Sequence, residues 1–108
     1  MNEKIINQFL TYISKERNFS KNTVRSYRND LIQFNQFLYG YDNMLSFLSI
    51  DKTAIQFYIQ YCSKKGVADK TLLRKVSTIK SLFRYLTQNN FIDVNISKLI
   101  ASPKVAKS

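Results

Sequence analysis

Apolar side chains recur along this chain at intervals of three and four residues, the period of an α-helix and not of a strand. In "NEKIINQFLTYISKER" (2–17), Ile5, Ile6, Phe9, Leu10 and Ile13 fall on one stripe, which predicts a first helix. A second, longer helix is predicted over 21–39, with Val24, Tyr27, Leu31, Phe34 and Leu38 as its apolar face. Ser20 stands where its hydroxyl can accept an orphan N–H of the first turn. Gly40 follows, the residue best able to end a helix in the left-handed conformation.

Residues 40–50 read as a connection anchored by Met44, Leu45 and Phe47, with Tyr39 and Tyr41 closing the core on either side of Gly40. Asp51 is placed to cap a third helix over 52–65, which turns Ile55, Tyr58, Ile59 and Cys62 inward and ends at Gly66. Asp69 or Lys70 opens a fourth helix that runs to about Asn89. Asn89, Asn90 and Asp93 break the period, and "NISKLIA" (95–101) predicts a short fifth helix before the tail "SPKVAKS". Two Gly and one Pro are too few for the frequent turns of an all-β protein. The expected fold class is therefore all-α: four long helices and a short C-terminal one. At 108 residues and 44% hydrophobic content, one domain with a real core is expected.

The fourth helix has two unlike faces. Leu72, Val76, Ile79, Phe83 and Leu86 gather within about 80° of arc as a core stripe. Opposite them fall Lys70, Arg74, Ser77, Thr78, Ser81 and Arg84, with Lys75 and Lys80 flanking, and Thr71 counts with them as a candidate DNA-binding residue. A solvated helix usually mixes charge signs, because i, i+4 acid–base pairs help it and like charges hurt. "TLLRKVSTIKSLFRYL" (71–86) instead holds four basic residues and no acid. Lys and Arg neutralise phosphates, while Ser and Thr donate to phosphate oxygens. The outward side of the second helix shows Lys21, Asn22, Arg25, Ser26, Asn29, Gln33 and Gln36, with Arg28 at the margin and Thr23 in the first turn. Arg, Asn and Gln are the side chains that pair bidentately with guanine or adenine edges. The start of that helix also offers free N–H groups to a phosphate.

Composition agrees with those faces. Lys and Arg number 17 against 7 Asp and Glu, a formal charge of +10, which points to a polyanion, nucleic acid before a membrane surface. Chemistry is sparse. With no His and one Cys, neither a metal site nor a thiol nucleophile has its usual partners. No phosphate-binding glycine loop occurs, and the acids lie scattered. No enzyme activity, cofactor or metal is expected of these residues. The lone Cys62 reads as a packed position in a reducing cytoplasm, and no stretch is apolar enough for a membrane span or a signal-peptide core.

"FSKNTVRSYRNDLIQFNQFL" (19–38) resembles the N-terminal, core-binding domain of tyrosine recombinases, the phage-integrase and Xer-type family. The matching positions are Ser20, Asn22, Thr23, Tyr27, Asp30 and Leu31. A second block, 66–104, resembles the family's later long helix, with Thr71, Arg74, Ser77, Phe83, Tyr85 and Leu86 in place. The family commonly has Asn-Pro before the fifth helix; here Asn95 precedes Ile96. The resemblance implies a SAM-like bundle that clamps one face of duplex DNA, its second and fourth helices crossing the major groove. It also implies that strand cleavage belongs to a separate C-terminal domain with an Arg, Lys, His and Tyr constellation, in a parent that assembles as a tetramer on two DNA sites. On that reading residues 1–101 form the DNA-binding domain, 102–108 begin a linker, and the isolated domain is a monomer with its two basic faces side by side.

Two rival classes remain open to the sequence. One is a helical protein-interaction module, which would disperse its charge or expose an apolar patch. The other is a different nucleic-acid-binding helical domain, such as a helix-turn-helix. That motif needs two short helices joined by about three to four residues, against the eleven-residue connection and long helices read here.

Overall fold

The computed structural model describes residues 2–41 and 46–100, and among them every regular element is helical. Four α-helices, α1 (Asn2–Lys15), α2 (Lys21–Tyr41), α3 (Lys52–Lys64) and α4 (Asp69–Gln88), are followed by a 3-10 helix at Ile96–Leu99. The all-α class expected from the periodicity is present. The helices form two compact units, one up to Ser49 and one from Ile50 onward.

In the first unit α1 packs on α2. Ile5, Ile6, Phe9, Leu10 and Ile13 are buried from α1, and Leu31, Phe34 and Leu38 from α2, as the apolar stripes require. A polar clip adds to this core. The buried Asn2 donates from Nδ2 to Asn35 Oδ1 at 2.9 Å, and its Oδ1 accepts the backbone N–H of Phe47 at 3.0 Å. The Phe47 ring stacks on Phe34 at 5.6 Å between centroids. Between the helices, Asn18 takes a positive φ of 54° and the Phe19 N–H donates to the Ile13 carbonyl at 3.0 Å. Ser20 caps α2 as expected, its Oγ accepting the Thr23 N–H at 3.2 Å.

Two expectations at the end of α2 are corrected. The helix does not stop at Gly40 but continues to Tyr41. Phe37 and Tyr41, four residues apart, stack at 5.9 Å and hold that last turn, so the glycine's conformational freedom goes unused. Tyr39 and Tyr41 do not close the core either, being 69% and 49% exposed; Phe47 fills that place, fully buried. Met44 and Leu45, read as anchors of the connection, lie outside the described residues.

In the second unit α3 and α4 pack together, and the 3-10 helix packs on both. Asp51 Oδ1 accepts the Ala54 N–H at 3.2 Å and caps α3. Ala54, Ile55, Tyr58 and the free Cys62 are its buried residues. Gly66 ends the helix at φ 83°, and the paired bonds Gly66 N–H to Ser63 carbonyl and Val67 N–H to Cys62 carbonyl form a Schellman motif. The end of α4 repeats the motif with Asn90 at φ 62°: its N–H donates to the Thr87 carbonyl and that of Phe91 to the Leu86 carbonyl. Asn is the residue next best able to take that conformation. The expected fifth helix is a 3-10 turn, started by Asn95, whose Oδ1 accepts from the N–H and the hydroxyl of Ser97. A proline is not needed for that entry.

Candidate nucleic-acid interface

Helix α4 sorts its polar residues more severely than the sequence suggested. Lys70, Arg74, Ser77 and Arg84 are exposed, and Thr71, Lys80 and Ser81 are half-buried beside them. Spacings of four, three, four and three place Lys70, Arg74, Ser77, Ser81 and Arg84 on one stripe along the helix. The only acid of α4 is Asp69, in its first turn. From Lys70 onward the outward face is cationic and hydroxyl-bearing, with no acid to pair within it.

Two residues expected on or beside this face are placed elsewhere. Thr78 is 0% exposed and Lys75 6%. The Thr78 hydroxyl donates to its own helix, to the Arg74 carbonyl at 3.0 Å. Both residues join Leu82 in widening the buried arc beyond the aliphatic stripe. A helix that packs on more than one element buries a wider arc than its aliphatic stripe alone. Lys and Thr supply that burial with methylene and methyl groups while reading as polar. No buried side-chain nitrogen or oxygen among the described residues lacks a hydrogen-bond partner.

On α2, Lys21, Asn22, Thr23, Arg25, Arg28, Asn29, Gln33 and Gln36 are exposed and Ser26 is half-buried. The one acid of this helix, Asp30, is turned inward at 2% exposure, so the exposed face is free of negative charge. Ser20 uses up the Thr23 N–H, and Ser20 Oγ also donates to Thr23 Oγ1 at 2.9 Å. The N–H groups of Lys21 and Asn22, which have no acceptor within the helix, remain at its positive end. That end carries no acid in its first turn. Self-stability alone would favour an acid there, by about 0.3–1 kcal/mol.

The sequence reading missed Arg17. Its guanidinium lies over the Phe19 ring, 5.4 Å from the centroid, in the loop that leads into α2. The available signal was charge: from Arg17 through Asn29 the chain holds four cations and no acid. Among the described residues no three side chains of metal-ligating type come together, and no helix is long and apolar enough to cross a membrane.

Residues 6–90 match the family described as phage integrase, N-terminal SAM-like domain. Among curated proteins the chain is similar to tyrosine recombinase XerC of Pediococcus pentosaceus, 30% identical over 94% of this chain and 34% of that protein. It is 34% identical to tyrosine recombinase XerD of Rickettsia bellii, over 94% of this chain and 32% of the relative. With XerC of Roseiflexus castenholzii it shares 32% identity over 97% of this chain and 33% of the relative. The chain thus spans about one third of the length of the curated relatives it matches. No solved structure matches it at a significant level.

Proposed function

Because this chain belongs to the phage integrase N-terminal SAM-like domain family, we propose that it binds duplex DNA through the outward faces of α2 and α4. The observation that carries the proposal is the acid-free stripe of the exposed Lys70, Arg74, Ser77 and Arg84 and the half-buried Ser81. A helix about 10–12 Å across fits a major groove about 12 Å wide. Arg74 lies in mid-stripe and is the candidate base reader; Lys70, Lys80 and Arg84 are candidates for phosphate, with Thr71, Ser77 and Ser81 as hydroxyl donors. On α2, Arg25, Asn29 and Ser26 face the bases in this proposal. Lys21, Asn22, Thr23 and Arg28 grip the backbone near the helix start. Thr78 and Lys75 support the stripe from the interior.

The activity named for the relatives, tyrosine recombination, is assigned to a longer parent. These residues serve it as a DNA clamp, and strand cleavage falls to chain outside them. In this proposal the isolated domain is a monomer and the parent a tetramer on two sites, working where the chromosome lies, in the cytoplasm. A second reading, protein contact, is favoured by the exposure of Phe91, Val94 and Leu99 after α4. It suits contact between copies in such an assembly.

Selection from a random duplex pool, followed by anisotropy titration, tests the proposal. Enriched sequences bound more tightly than random duplex are the expected result. A pool that never enriches, with binding indifferent to salt, would sink it.

A further inference from the structure

We propose that Arg17 is a further phosphate-binding residue, pre-organised by Phe19 to extend the cationic face of α2 beyond its first turn. The inference rests on the duplex-DNA reading above and adds to it a site on the preceding loop. From Arg17 through Asn29 the chain holds Arg17, Lys21, Arg25 and Arg28 and no acid, and all four cations are exposed. Three of them stand on α2; Arg17 stands in the loop that leads into its N-cap.

The loop that carries Arg17 is hydrogen-bonded on both sides of Asn18. The Arg17 N–H donates to the Tyr12 carbonyl at 3.3 Å and the Phe19 N–H to the Ile13 carbonyl at 3.0 Å. Phe19 is itself fixed, its ring edge-on to Tyr27 at 5.7 Å and 88°, with Tyr27 stacked on Phe9 at 6.1 Å. Arg17 therefore rests on an aromatic column rooted in the core of its unit. A guanidinium over a ring spends its flat face on the cation–π contact and keeps its N–H groups at the rim. That rim is the part that meets phosphate bidentately, and a side chain already held loses less freedom on binding. The residue lies before the helix, at the end where two backbone N–H groups also lack acceptors. Its ligand class is a DNA backbone phosphate, not a base.

Anisotropy titrations on duplex DNA between 50 and 200 mM salt test this with the unmutated chain, Arg17→Gln and Phe19→Leu, each checked for helical circular dichroism. Arg17→Gln should lower the log–log salt slope by about 0.9, so that its affinity deficit shrinks about 3.5-fold over that range. The loss should be equal on selected and random duplex. Phe19→Leu, which keeps the cation and removes the ring, should weaken binding about two- to fivefold with the slope unchanged. An unchanged slope for Arg17→Gln, or a loss confined to the selected site, overturns the inference while leaving the DNA reading intact. Failure of the unmutated chain to bind any duplex overturns that reading and the inference with it.

Discussion

The hydroxyl of Thr78 donates to the backbone carbonyl of Arg74 at 3.0 Å, with Thr78 wholly buried and the Arg74 side chain exposed. One turn of α4 thus separates a group that serves the core from one that faces outward. The boundary of the proposed DNA face runs between them.

A pair of substitutions reads that boundary. Arg74→Ala should cost about 1–3 kcal/mol on a selected site and less on random duplex, narrowing the ratio between them. Thr78→Val should leave both affinities unchanged, because its hydroxyl is engaged within its own helix. Lys75→Ala should lower the urea midpoint through lost packing of its stem and leave the salt slope alone. A drop in salt slope for Lys75→Ala would show that its ammonium reaches phosphate.

Asn2 should matter to stability out of proportion to its place at the chain's start. Its Oδ1 accepts the N–H of the buried Phe47, so Asn2→Ala leaves that donor without its partner. A loss of about 1–3 kcal/mol is expected in urea unfolding with m unchanged. A neutral result would mean that the turn at residues 46–49 holds Phe47 without the clip.

The two glycines should respond in opposite directions. Gly66 sits at φ 83°, where an L side chain is strained, and Gly66→Ala should destabilise by about 1–2 kcal/mol. Gly40 lies within α2, and a Cβ added there would meet nothing within 4 Å, so Gly40→Ala should stabilise by about 0.5–1 kcal/mol. Thermal melts of the two variants shifting the same way would contradict the reading of α2's last turn.

The helices were legible because their apolar periods are long and their signals local: Ser20 and Asp51 cap where expected, and Gly66 ends α3. What failed was decided by side-chain contacts more than by single-residue preference. Gly40 permits a stop without demanding one, and the Phe37–Tyr41 stack carries the helix past it. On α4 the helical wheel separated Leu from Arg correctly, but it assigned Lys75 and Thr78 by polarity, whereas burial follows the width of the packed surface. Arg17 escaped because a helical wheel ends at the N-cap, and its place over the Phe19 ring in the preceding loop follows no helical period.

A net charge of +10 attracts any polyanion, so the central claim is that charge on one helix face counts for more than equal charge elsewhere. Two triple variants decide it, each removing three cations: Lys70→Gln, Arg74→Gln and Arg84→Gln on α4, against Lys52→Gln, Lys64→Gln and Lys65→Gln on and just after α3. The measurement is the log–log salt slope of duplex binding by anisotropy. If the α4 face meets phosphates through Lys70 and Arg84 and a base through Arg74, its triple should lose about 1.8 in slope, while the α3 triple stays within about 0.9 of the unmutated chain. Equal losses in the two triples would contradict the account, because binding would then follow net charge and no particular face.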